Sequence, residues 1–341
     1  EATLLYDKDN TKDAGAAAMQ ALALNPSSAE AWSLLGRMSV DSFNFDGSEQ
    51  IAEKLNDLAG GPSPAAAIVL ARARLRQNDP DGAQELIDPM IARFPKLRQL
   101  LAVRAAIAAL RYDFAQVDRL LADYDAISPG SADAVFEVGK ALSEARQYEP
   151  AAKYLALAAA RAPYRAEPVC ELGLLGLQSG KDLEAKDTLR RAKELDPFNV
   201  RVGNTLALVE KLETFQKVES EHFIVRFQDG PDAALATDML APLETMYRRV
   251  TGKGKGGIDF TPPGKTVIDL MPDQRWFAVR IAGVTRIHTM AASTGPTIAM
   301  ESPREGPGHS VGTYDWLRVV RHEFTHTVTL ARSLNRMPHW F

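Results

Sequence analysis

Five consecutive residues, His322-Glu323-Phe324-Thr325-His326, carry the residue types and spacing for metal-assisted hydrolysis. The two histidines stand four apart, one helical turn, so on a helix both imidazoles project from the same face and can grip a single ion. Neutral imidazole suits Zn2+, and two nitrogens leave room for a third protein ligand and a water. Glu323, next to the first histidine, can take a proton from that water without binding the metal. Such transfer is feasible because zinc lowers the pKa of bound water to about 7. With six histidines among 341 residues, a chance match to this spacing is rare. Two plainer readings stand beside it: a histidine pair satisfied on a helix without metal, and a site that holds metal but does not cleave.

Other chemistry has little support. There is no G-x-S-x-G, no Cys/His pair and no dinucleotide fingerprint, so a side-chain nucleophile is not indicated. The Gly- and Lys-rich stretch Thr251 to Gly257 lacks the G-x4-G-K-[ST] phosphate cradle and reads as a mobile turn. His222, His288 and His309 are isolated and read as structural or exposed. Tyr314 and Asp315 read as a helix start, Asp315 in the first turn suiting the macrodipole.

The elements that must position the motif follow from periodicity. A helix is expected over Tyr314–Leu334, with Trp316, Leu317, Val319, Val320, Phe324 and Val328 burying it. Upstream, strands are expected at His222–Phe227, Thr266–Met271 and Thr297–Met300, and a helix at Asp232–Val250 with a possible kink at Pro242. The stretch from Met271 through Gly283 reads as irregular.

The first two thirds of the chain have a different texture. Pro95, Pro129, Pro163 and Pro197 fall at intervals of 34, with Pro62 and Pro26 near the same register. Each precedes a helical apolar pattern, a polar turn such as Gln77 to Gly82, and a second helical pattern. Small residues sit where paired helices must touch: Gly36, Gly139 and Gly173 on first helices, Ala83, Ala151 and Ala185 on second ones. This pattern resembles the tetratricopeptide repeat, W-x2-L-G, then A, then P over 34 residues. The resemblance covers about residues 1–215, or six helix pairs. Ala14–Leu24 reads as a lone second helix, so the chain is expected to begin within a repeat. A stack of such pairs implies a solenoid with a concave protein-binding face. Basic residues on first helices, such as Arg104 and Lys140, read as solvated.

Eleven residues past the motif the sequence reads Pro338-His339-Trp340-Phe341. Together with H-E-x-x-H, this resembles the gluzincin branch of the zinc peptidases, and residues 216–341 resemble bacterial peptidase-MA-like domains. The resemblance implies a third zinc ligand, a Glu, about two positions beyond Phe341, so these 341 residues alone are expected to bind zinc weakly and cleave little; His339 could substitute but reads as a surface residue next to Pro338. The metzincin pattern needs a histidine where Arg332 stands, and fails. Ala299-Met300-Glu301-Ser302 resembles the G-x-M-E-N strand of aminopeptidase N-like gluzincins. That implies substrate contact at Met300 and Glu301, although the flanking residues depart from the pattern. Thr297–Met300 is expected to be an edge strand able to pair with an extended substrate.

Composition agrees with a folded globular chain: 45% apolar, 25% charged, net charge −4. That balance offers no electrostatic footprint for nucleic acid. No apolar run approaches the roughly 18 residues a transmembrane helix needs. The single Cys170 excludes an internal disulfide and a Cys-rich zinc site, and no signal sequence points to a compartment. The expectation is a tetratricopeptide-type α-solenoid over 1–215 plus an α/β (α+β) zincin-like domain over 216–341. His322 and His326 would hold one Zn2+, Glu323 would be the base, and the solenoid would recruit a peptide or protein substrate or a partner. The alternative is a repeat-based interaction scaffold with an inactive peptidase-like domain.

Overall fold

The computed structural model describes residues 1–254, 256–287, 289–309 and 311–336. The chain forms two compact units, Glu1–Glu171 and Leu172–Met337. Among the described residues no helix is long and apolar enough to cross a membrane.

The first unit is built from helix pairs: α1 (Ala2–Asp7) and α2 (Thr11–Leu24), α3 (Ala29–Asp41) and α4 (Phe45–Ala59), α5 (Pro64–Arg76) and α6 (Pro80–Arg93), α7 (Arg98–Leu110) and α8 (Phe114–Ile127), α9 (Asp133–Glu144) and α10 (Tyr148–Arg161). The division between units falls within α11 (Ala166–Gln178). The lone-second-helix expectation is corrected at the start, because the short α1 packs against α2.

One turn recurs between the helices of each pair. Asp9, Phe43, Asn78, Tyr112 and Arg146 all adopt a left-handed φ between 56° and 60°. The residue that follows caps the next helix in four of these turns: Asn10, Asn44, Asp79 and Asp113 each accept from the backbone N–H three positions on. A left-handed residue reverses the chain, and the Asx side chain satisfies an otherwise orphaned donor. The repeating prolines lie one or two residues after the C-caps of second helices, where a helix cannot continue.

The small residues sit where the pattern requires. A Cβ added at Gly139 would stand 2.9 Å from Leu155 Cδ2 and 3.0 Å from the Leu155 backbone nitrogen, and one at Gly36 would stand 2.8 Å from Val69 Cγ2. Ala83 and Ala151 are fully buried. Gly139→Val is therefore expected to destabilise this unit by about 1–3 kcal/mol through overpacking. Urea denaturation followed by far-UV circular dichroism measures it, and an unchanged midpoint would show that α9 and α10 can separate freely.

Lys140 is not solvated as expected. It lies 3.7 Å from both Asp41 and Glu144, within a chain of charges on first helices. Arg72 donates to both carboxylate oxygens of Glu137, at 2.8 and 2.9 Å. Burial pushes Glu137 upward, but the bidentate Arg72 outweighs it and holds the carboxyl below the usual range. The α7 helix beside them is buried along most of its length from Leu100 on.

The second unit begins with the end of α11, then α12 (Lys186–Leu195) and α13 (Val200–Leu212). After them come β1 (Gln216–Glu219), β2 (Phe223–Phe227), α14 (Asp232–Thr251), β3 (Thr266–Met271), α15 (Gln274–Ala282), β4 (Ala291–Ser293), β5 (Thr297–Glu301) and α16 (Trp316–Arg332). The sheet order is β1-β2-β3-β5-β4. The three central strands are parallel and the two outer ones antiparallel to their neighbours. Alternation along the strands sends Phe223, Val225, Ile268 and Leu270 into a core with Met239 and Leu243 of α14 and Val320, Phe324 and Val328 of α16.

Arg226 and Asp269, one residue on from Val225 and Ile268, belong to the opposite set of the alternation. Asp269 accepts from Arg226 Nε at 2.6 Å and from Arg280 Nε of α15 at 2.7 Å. Arg226 also donates to Asp182, and Arg280 to the Leu177 carbonyl at 3.0 Å. Arg280 and Asp269 are essentially inaccessible.

Two expectations change here. The stretch 274–282, read as irregular, is the helix α15, capped by Asp273 accepting from Trp276 N and ended by Gly283 at φ 71°. The strand at Thr297–Glu301 is not an edge: β4 covers it, so the edge is Ala291–Ser293.

Candidate functional site

Helix α16 forms because its apolar residues recur one turn apart and Asp315 caps its start, accepting from Arg318 N at 3.0 Å. Val320, Phe324 and Val328 are completely buried. Phe324 packs against Phe223 and Tyr247, with ring centroids 5.2 and 5.6 Å away. That anchorage fixes the helix rotation and leaves His322 exposed and His326 half-buried.

The two imidazoles converge, with Nε2 atoms 3.1 Å apart. Two nitrogens at that separation can both stand about 2.0–2.1 Å from one point, the zinc–imidazole distance. The same separation also accommodates an N–H···N hydrogen bond between neutral tautomers. The pair therefore fits the metal that the sequence implies, without requiring it.

Glu323 turns toward the sheet. The backbone N–H of Ser293, the last residue of edge strand β4, faces its carboxylate. Thr327 and Ser293 join their hydroxyls at 3.0 Å, a second tie between α16 and β4. Burial pushes the Glu323 carboxyl upward, and the neighbouring His326 and His322 together with the Ser293 N–H only partly oppose it. A carboxyl placed this way accepts a proton more readily than a solvated one.

Met300 and Glu301 lie inside the unit. Met300 is fully buried in the sheet core and Glu301 is 1% exposed. Glu301 Oε1 stands 3.2 Å from Nδ1 of the buried His309, whose Nε2 accepts from Arg304 at 2.9 Å. The Tyr314 hydroxyl donates to the Glu301 carbonyl. With β5 flanked by β3 and β4, its backbone has no free side for an extended chain. The outer strand of the sheet beside α16 is β4.

His222 belongs to another group. Its Nδ1 stands 2.7 Å from Glu244 Oε2, and its ring stacks on Tyr247 with centroids 3.7 Å apart. Among the described residues, Glu221, His222 and Glu244 form the one grouping of three potential ligand side chains, and none of that kind completes the His322/His326 pair. His288, His339, Pro338, Trp340 and Phe341 lie outside the described residues. Sequence reasoning missed Ser293 and Thr327; the Thr294-Gly295-Pro296 turn between short apolar runs was the signal for a hairpin.

No family profile matches the chain, and no curated protein does. Several solved structures are similar to part of the chain. One is a thermophilic tetratricopeptide protein of Thermus thermophilus, 21% identical, with TM-score 0.39 over 53% of this chain and 100% of that one. Another is YrrB, a tetratricopeptide protein with an unusual peptide-binding site, 13% identical, with TM-score 0.29 over 57% and 98% of the two chains. A third is the APC/C Cut9–Hcn1 hetero-tetramer, 14% identical, with TM-score 0.39 over 62% and 42%. The chain has a tetratricopeptide-like helical repeat array, carried by its own recurring helix pairs and turns, and a smaller C-terminal region built around a sheet.

Proposed function

We propose that the chain is a repeat-based protein-interaction scaffold that also carries a zinc-dependent peptide-hydrolase site at His322, Glu323 and His326. The observation that carries the hydrolase reading is the convergence of the two Nε2 atoms beside a half-buried carboxylate tied to a sheet edge. His322 and His326 would hold the ion. Zinc, when bound, supplies an acidified water and an electrophile for a carbonyl oxygen. Glu323 is placed to receive a proton at its carboxylate and return it to a leaving amine. β4 is the outer strand on this side of the sheet, the side on which an extended peptide would add. The repeats would bind the protein that bears that peptide, or an assembly partner, on the concave face that a stack of such pairs offers.

A scaffold without cleavage is the second reading. It is favoured by one observation: among the described residues no third ligand stands with the histidine pair. Zinc titration separates the two. The wild-type chain should bind zinc through the two imidazoles, and His322→Ala and His326→Ala should each weaken binding by about 100-fold, one ligand's share of the ~10–16 kcal/mol of a complete four-ligand site. Elemental analysis after dialysis against a weak chelator measures this. Equal zinc content in all three proteins would remove the site and leave the scaffold.

A further inference from the structure

A cavity of about 690 Å³ opens beside the histidine pair, between the end of α14 and the first half of α16. Arg248, Arg249, Lys253, Arg318 and Arg321 line it together with both histidines, and among its described lining residues there is no carboxylate. The chain as a whole is net negative, so this concentration of cations runs against its overall sign. Lys253 has a partner only at 4.0 Å, in Asp259, and Arg248 donates to the Thr245 hydroxyl. Arg249, Arg318 and Arg321 make no ion pair among the described residues. Arg72, Arg226 and Arg280, by contrast, are each locked onto carboxylates.

Helix electrostatics sharpen the contrast. Arg248 and Arg249 occupy the last turn of α14, where cations complement the macrodipole, so their presence has an ordinary explanation. Arg318 and Arg321 do not. They sit in the first two turns of α16, the positive end, where the first turn carries no acidic residue. The Asp315 carboxylate caps that end and accepts from Arg318 N, so it answers part of the dipole; the guanidinium groups of Arg318 and Arg321 make no ion pair among the described residues and keep the cavity cationic. Arg318, His322 and His326 are spaced four apart along one stripe, so the Arg318 level lies about 6 Å, just over one turn, from that of His322.

We propose that this cavity recognises a carboxylate of the polypeptide that reaches the histidine pair, making the site selective for acidic peptides. The carboxylate is an Asp or Glu side chain near the reacting bond, or the free C-terminus. The inference rests on the hydrolase reading only in calling that peptide a substrate; the recognition itself needs no metal. Arg318 and Arg321 are the specificity-determining residues.

The test measures binding by fluorescence anisotropy, using the full chain with metal chelated. The probes are a labelled heptapeptide with two Glu residues and its Gln counterpart, each with a free or amidated C-terminus. The Glu peptide, or the free-terminus form, should bind about tenfold or more tightly than its neutral counterpart, as one or two charge-assisted hydrogen bonds imply. Added salt should narrow the gap. In the Arg318→Gln/Arg321→Gln protein the gap should close, while Arg318→Lys/Arg321→Lys should keep part of it. Unchanged thermal melts certify that the variants fold. Equal binding of charged and neutral peptides overturns the inference, as does a preference that the double Gln variant retains. A short single-stranded oligonucleotide that binds more tightly than the Glu peptide also overturns it. Failure to bind zinc would end the hydrolase reading but leave this result standing; cleavage without acidic preference would do the reverse.

Discussion

Asp269→Ala is expected to destabilise the sheet-containing unit by about 3–5 kcal/mol, the cost of removing one partner from a buried ion network. Asp269 sits on the central strand β3 with no exposed surface. It accepts from Arg226 at 2.6 and 2.9 Å and from Arg280 at 2.7 Å. Burial alone would raise its pKa; the two guanidinium groups overcome that and hold the carboxyl below the usual range. Without it, Arg280 is left with the Leu177 carbonyl and Arg226 with Asp182. The buried Arg280 and the half-buried Arg226 then face each other without their shared anion. Asp269→Asn, which preserves shape and one acceptor oxygen, should cost less than alanine but still well over about 1 kcal/mol. Chemical denaturation read by the fluorescence of Trp276 and Trp316 reports on this unit. A midpoint shift equivalent to less than about 1 kcal/mol for alanine would show that the arginines escape to solvent.

Glu323→Gln is expected to lower peptide hydrolysis by about 10²–10⁴-fold while leaving zinc binding intact. The substitution is nearly isosteric, and α16 stays tied to β4 through the Thr327 and Ser293 hydroxyls. What is lost is the capacity to take up a proton. His322 and His326 are untouched, which separates this variant from the histidine substitutions. Cleavage of a quenched-fluorescent peptide library, with zinc content measured in parallel, provides the readout. Equal rates in the two proteins would remove Glu323 from the chemistry. Loss of zinc together with activity would make Glu323 part of the metal site.

Legibility differed sharply between the two units. The repeats declared themselves through local rules. Prolines at intervals of 34 mark helix exits, and Gly36 and Gly139 stand where neighbouring helices leave no room for a Cβ. Their contacts are mostly between successive helices, so a pattern in sequence maps directly onto packing. The charge chain through Asp41, Arg72, Glu137 and Lys140 was not legible in that way. Its members come from different repeats, and nothing in a single repeat distinguishes a lysine that faces water from one that faces two carboxylates.

In the second unit, α15 carried both end signals, Asp273 and Gly283, but its nine residues are buried along Phe277 to Arg280, which erases the amphipathic period. The misplaced edge has a similar cause. A strand of three residues, β4, is too short to announce itself, yet its pairing converts Thr297–Glu301 from an edge into an interior strand.

From sequence alone come the two textures of the chain, the helix that bears His322, Glu323 and His326, and the common face of the two imidazoles. All of these depend on spacing along one helix or one repeat. Only tertiary structure decided that Met300 and Glu301 are buried, that Glu323 meets Ser293, and that Arg248 and Arg249 share a cavity with Arg318 and Arg321. These juxtapositions join residues tens of positions apart, and they are set by how the sheet orders its strands and how α14 and α16 pack on it. Local periodicity fixes which way a side chain points from its own element; what it meets there is settled by the elements the fold brings alongside.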